Sequence, residues 1–194
     1  ITDGSTTWKG YVNGGDGLSG DGTAGNTDFV DGGFYTSRTS PIVLVSYSEA
    51  LFLEAEAEFL KNGGTTTSVG SNVNAYNAYL NGIKENMSKL GVSSTNYVAE
   101  ASIGVGAASL KLEHIMKEKY IANFLNPENY VDFRRYSFSQ NVFKSLELPA
   151  DHAASEYPNS WLVRANYPSA EEQGNSANVT SNKKSPIEPV WWDK

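Results

Sequence analysis

Ala107–Tyr136, AASLKLEHIMKEKYIANFLNPENYVDFRRY, is the stretch whose reading decides the fold. Leu112, Met116, Tyr120 and Phe124 recur every four residues, and Ile115 and Ile121 widen the same side, which is the spacing of an amphipathic helix buried on one face. Lys111, Glu113, Lys117 and Glu118 are expected on the opposite, solvated face. Asn126-Pro127 stops this helix, because proline pushes the residue before it out of the helical region, and Glu128 to Arg135 restarts as a short helix or turn.

Working backward, a first helix is expected from Pro41 to Lys61, with Ser40 as its cap, proline at its first position and Gly63-Gly64 beyond its end. Leu44, Tyr47, Leu51, Ala55 and Phe59 form its stripe, and Val45, Phe52 and Ala57 broaden it, so it reads as an inner helix. A second helix is expected from Asn72 to the stop at Gly91, where Val73, Tyr76, Leu80, Ile83, Met87 and Leu90 alternate spacings of three and four. It should pack antiparallel on the first. A further turn is expected near Asn96–Ala101.

The flanks differ from this helical middle. Residues 1–40 are dense in glycine, with NGGDG and SGDGTAGN running through them, and read as loop with at most short strands. They are expected to lie on a surface supplied by an N-terminal half that is not in this chain, which leaves 41–194 as the helical region with its tail. After Tyr136 five prolines punctuate an irregular tail whose apolar content predicts packing, including that of Trp191 and Trp192.

Composition excludes several classes. The chain has 194 residues, a net charge of -7 and 15 lysines and arginines scattered along it, which argues against a phosphate-binding surface for nucleic acid. It has no cysteine, hence no disulfide, thiolate ligand or cysteine nucleophile. The longest apolar-rich run, Pro41–Leu60, carries Glu49, Glu54, Glu56 and Glu58 and is no membrane span.

Candidate chemistry is sparse. Asp16, Asp21, Asp28 and Asp31 lie in the glycine-rich opening but match neither calcium-loop pattern, and they read as turn formers. His114 and His152 lack the paired spacing of a zinc site, so neither metal nor cofactor is expected. Glu54 and Glu58 read as solvated, while Glu49 or Glu56, seven apart on one face, is expected to receive a charge from Arg134 or Arg135. No catalytic residue is assigned. Loop aromatics are the better lead, because the apolar face of a sugar ring stacks on Trp or Tyr, and Trp8, Tyr11, Phe34, Tyr35 and Trp161 are the ligand-binding candidates.

Taken in order, SPIVLVSYSEALFLEAEAEFL (40–60), AYLNGIKENMSKLGV (78–92), LEHIMKEKYIANFLNPENYVDFRRY (112–136), VRANYPSAEEQGNSANV (163–179) and the closing VWWD (190–193) resemble the C-terminal part of the SusD/RagB-like family, the surface glycan-binding lipoproteins of Bacteroidetes. The resemblance implies a mostly α fold of tetratricopeptide-like helix pairs with long irregular loops. It further implies a non-enzymatic protein, held at the outer membrane by a lipid anchor outside this chain, that captures oligosaccharide for a SusC-like TonB-dependent transporter. A peptide- or protein-binding member, or a helical-repeat scaffold, is the alternative.

Overall fold

A computed structural model describes residues 31–69 and 72–193. They fall in two compact units, 31–146 and 147–193. The architecture is mostly α. Among the described residues the sole strand-like feature is an isolated antiparallel bridge between Val69 and Lys111, and no helix is long and apolar enough to cross a membrane.

The first unit contains α1 (Tyr47–Lys61), α2 (Val73–Lys89), the short α3 (Thr95–Ala99), α4 (Leu112–Ala122) and α5 (Glu128–Arg135). Helix α1 begins six residues later than the Pro41 start expected from proline placement. Ser46 accepts from the Glu49 amide at 3.1 Å, the half of a Ser-x-x-Glu capping pattern that fixes a helix start. Pro41–Val45 stays irregular, and Leu44 and Val45 are 86% and 71% exposed instead of lining a stripe. The buried face of α1 is Leu51, Phe52, Ala55, Glu56 and Phe59. Gly63, with φ of 81°, turns the chain out of the helix as expected.

Helices α1 and α2 run antiparallel, as three contacts along their length require. Asn72, the cap of α2, donates to the Glu58 carbonyl at 3.0 Å near the end of α1, Phe52 meets Gly82 at mid-length, and Lys89 at the end of α2 feels the charge of Glu49 in the first turn of α1. The expected stripe of α2 is rotated. Ala75, Ala78, Tyr79, Gly82 and Ile83 face the core, Leu80 and Met87 are partly buried, and Val73 and Leu90 are exposed. Large apolar residues dominate a periodicity count, but two helices approach most closely through small ones.

Helix α4 closes the core with Leu112, Ile115 and Met116 beside Phe52, Phe59 and Tyr79, whose hydroxyl donates to the Ile103 carbonyl at 3.1 Å. Its inward face also carries Lys119 and Glu118, the latter expected on the solvated side, while Tyr120, Ile121 and Phe124, expected to be buried, are 51%, 43% and 42% exposed. Both buried charges have partners, which is what permits their burial.

The second unit holds α6 (Ser169–Gly174) and α7 (Ser176–Asn182), joined by an ion pair between Lys183 and Glu172. The Arg164 guanidinium donates to the carbonyls of Glu188 and Pro189, both at 2.8 Å, bracing the chain just before its tryptophans. Trp191 and Trp192 are 79% and 65% exposed and meet each other edge to face, so the expectation that they pack is corrected.

The close approach at Gly82 has a measurable consequence. A Cβ there would lie 2.9 Å from the Phe52 ring, which is fully buried and has nowhere to move. Gly82→Ala should therefore lower stability by ~1 kcal/mol or more, although alanine favours the helix by ~1 kcal/mol. In a Phe52→Leu background the same change should become neutral or stabilising. Chemical denaturation of the four proteins measures the cycle, and a gain from Gly82→Ala alone would contradict the packing.

Candidate functional site

The ends of α2 and α4 create a groove in the first unit. Helix α4 ends at Ala122, with Asn123 as its cap, and Leu125 takes a left-handed φ of 63° that turns the chain before Asn126-Pro127 starts α5. Lys89, in the last turn of α2, reaches across and donates to the freed Ala122 carbonyl at 3.2 Å. A groove of about 200 Å³ lies beside these ends. Its walls include Phe34, Tyr35, Lys89, Asn123, Phe124 and Asn126.

Aromatic rings and donors dominate its chemistry. Phe34 and Tyr35 meet edge to face at 5.0 Å, and Tyr35 meets Phe124 the same way at 5.4 Å. The Lys89 ammonium sits 5.4 Å from the centre of the Phe34 ring and 6.0 Å from that of Tyr35, within cation–π range. Burial pushes the Lys89 ammonium below its ordinary pKa, with Glu49 opposing the shift, and burial pushes the Tyr35 phenol up. Asn123 is buried and its amide Nδ2 has no partner among the described residues. Asn126 Oδ1 accepts from the Glu128 amide at 3.0 Å, which leaves its own amide nitrogen for the groove.

A second groove, of about 340 Å³, is walled by Tyr120, Ile121, Phe133, Val142, Phe143 and Leu146. Its charged rim is engaged internally, since Glu113 pairs with Lys144 at 3.2 Å and with Lys111 at 3.5 Å. These charges pull the Glu113 carboxyl below its ordinary range against the opposing effect of its burial.

The arginine pair of the opening stretch has a structural role. Lys119 is buried between Asp132, at 2.9 Å, and Glu56, at 3.7 Å. Arg135 bonds Glu56 at 2.8 Å and Asp132 at 2.7 Å, and the Tyr136 hydroxyl also donates to Glu56. The expected acceptance of an arginine by Glu49 or Glu56 is met by Arg135 and Glu56, and the buried Lys119 was not foreseen. Glu58, expected to be solvated, is bonded by Lys61 and Asn72. His114 is half-buried and accepts the Lys111 amide on Nδ1, a helix-start contact.

Of the five ligand-binding candidates, the structure brings Phe34 and Tyr35 together in the first groove, both half-buried. Trp161 is half-buried in the second unit, and Trp8 and Tyr11 lie outside the described residues. So do Asp16, Asp21 and Asp28, while Asp31 is exposed. Lys89, Asn123 and Asn126 escaped the sequence reading. Lys89 follows Glu85 by four residues, the spacing of an ordinary surface pair, yet the structure forms no such pair.

The sequence profile of the SusD-like family, described as starch-binding and associating with the outer membrane, matches residues 1–168. The chain is also similar to a solved SusD homologue from Bacteroides uniformis ATCC 8492, with 22% identity and a TM-score of 0.47 over 76% of this chain and 36% of that one. It thus spans about a third of that homologue's length. No curated protein matches.

Two outcomes follow from the buried charges. Lys119→Met leaves the buried Glu56 and Asp132 sharing Arg135 as their one cation, an uncompensated negative charge that should cost ~3–5 kcal/mol, whereas Lys61→Met, at an exposed pair with Glu58, should cost under ~1 kcal/mol in the same denaturation experiment. Glu118 is buried, its carboxylate accepts from the Tyr97 hydroxyl at 3.0 Å, and desolvation raises its pKa above 4.5 despite that bond and Lys117. Its ionised form therefore costs stability, a cost absent below about 4.5 and growing as pH rises through the raised value. Glu118→Gln should accordingly gain on the native protein as pH rises above about 4.5, and a parallel pH profile of the two would refute the assignment.

Proposed function

Because the chain belongs to the SusD-like family, we propose that it is part of a non-catalytic surface protein that captures oligosaccharide for import by a SusC-like TonB-dependent transporter, held at the outer membrane by a lipid anchor. The observation that carries the reading is the joining of Phe34 and Tyr35 with the amides of Asn123 and Asn126 in one groove. A sugar ring has an apolar face for the rings and hydroxyls for the amides, and sites of this kind combine a largely apolar wall with a few fixed polar groups. Among the described residues, no carboxylate lines this groove, so it offers no acid–base pair for glycoside cleavage.

One observation favours a second reading, that of a peptide-binding member. The larger groove at Tyr120, Phe133 and Phe143 is apolar, and its rim charges are already paired, which suits aliphatic or aromatic side chains better than hydroxyl-rich sugars.

Calorimetric titration of the chain with a panel of oligosaccharides, starch-derived ones included, tests the first reading. Saturable binding is expected, weakened about tenfold or more by Tyr35→Ala, since a tenfold loss needs only ~1.4 kcal/mol and stacking contacts of this size reach that range. No saturable binding to any glycan, with peptides recovered in a pull-down, would replace it with the second.

A further inference from the structure

Charge pairing sets Lys89 apart. Of the described lysines, three are drawn out of full solvent exposure: Lys89, Lys111 and Lys119. Lys111 pairs with Glu113 at 3.5 Å, and Lys119 pairs with Asp132 and Glu56. Lys89 forms no ion pair among the described residues. Glu49 influences it from beyond ion-pair distance, and its direct contacts are the Ala122 carbonyl and the two aromatic rings. A sheltered ammonium without a carboxylate is costly to keep, and proteins normally supply it with a counter-charge.

The groove beside it supplies none. Among the described residues that line it, Lys89 is the single charged group, in a protein whose net charge is -7. The neighbouring polar groups point the same way. Asn123 Nδ2 is buried without an acceptor, and the engaged Oδ1 of Asn126 leaves that side chain to offer its N–H groups. Desolvation of the Lys89 ammonium means that an anion placed there would meet a partner already stripped of part of its water. At about 200 Å³ the groove is below the roughly 300–1,000 Å³ of sites for drug-sized ligands, so it takes one ring and not a long segment.

We propose that this groove selects an anionic saccharide unit, whose acidic group pairs with Lys89 and accepts from the Asn123 and Asn126 amides while its ring packs on Phe34 and Tyr35. The inference rests on the glycan-binding reading and adds to it the charge of the ligand. A uronate carboxylate and a sulfate ester share the required chemistry.

The test is calorimetric titration of the full chain with an oligogalacturonide, with the same oligosaccharide after carboxyl reduction, and with a sulfated neutral oligosaccharide of equal length. At least one anionic sugar should bind about tenfold or more tighter than the carboxyl-reduced one, and added salt should shrink the difference. The tighter of the two anionic sugars identifies the acidic group. Lys89→Gln should reduce the preference to about twofold or less, while Lys84→Gln, at an exposed lysine outside the groove, should keep it whole. Lys89 also holds the Ala122 carbonyl, so Asn126→Asp gives an independent check. It keeps the bond to the Glu128 amide and adds a negative charge to the groove, and it too should abolish the preference. Equal binding of charged and reduced sugars, or a preference that survives both substitutions, would overturn this inference and leave glycan binding standing. Binding of none of the three would also overturn this inference, and the glycan-binding reading is then decided separately by the oligosaccharide panel that includes starch-derived sugars.

Discussion

Lys119 holds the first unit together. Its ammonium, on the buried face of α4, meets Asp132 of α5 and Glu56 of α1, and Arg135 closes the ring from the other side of both carboxylates. The consecutive helices α4 and α5 are thereby tied to the distant α1 at one point. Desolvating such a cluster is expensive, and its attraction offsets that cost only when every charge has its partner. The arrangement therefore admits little slack. A small rotation of α4 would break it, which explains why α4 turns Lys119 inward and leaves Tyr120 and Phe124 partly exposed.

That rotation builds the groove. With Lys119 inward, α4 ends at Ala122 with its last carbonyl facing Lys89. The left-handed turn at Leu125 then sends the chain into α5, which must arrive with Asp132 beside Lys119. Phe124, Asn123 and Asn126 are thus positioned by a constraint several residues away, and Tyr35 packs on Phe124 from the preceding turn segment. Ligand-facing groups mounted on helix ends fixed by a buried charge cluster are better held than the same groups on a free loop.

Much of the helical frame was legible in the sequence, because caps and stops are local. Asn72 and Gly91 mark real boundaries, Asn126-Pro127 marks the start of α5 although α4 stops earlier, at Ala122, and the seven-residue spacing of Glu49 and Glu56 anticipated a bond to Arg135. Ser46 with Glu49 was a readable capping pattern, overridden by the attraction of Pro41 as a helix start. The phases of α2 and α4 were not legible. Counting large apolar residues cannot weigh a glycine notch that receives Phe52, or a buried lysine whose two acids come from other helices. For the same reason Phe34 and Tyr35 could be named from their chemistry, while Lys89 could not. Its acceptor lies 33 residues downstream, and Glu85 offered a nearer but unused partner.

An anion-selective groove on a protein of net charge -7 is physically consistent, because the two charges act over different distances. Repulsion from the whole surface is screened beyond ~8 Å at physiological salt, whereas a contact with Lys89 lies inside that length and in a partly desolvated setting. Overall charge slows the encounter of an anionic ligand, and the local ammonium governs how long it stays. Glu49 acts on Lys89 only from beyond ion-pair distance, and four other buried or half-buried carboxylates are engaged elsewhere. Glu56 and Asp132 are committed to Lys119 and Arg135, Glu118 to Tyr97, and Glu113 to Lys111 and Lys144. These four acids fix the helices, and among the described residues Lys89 is left without an ion pair where the aromatic wall is open.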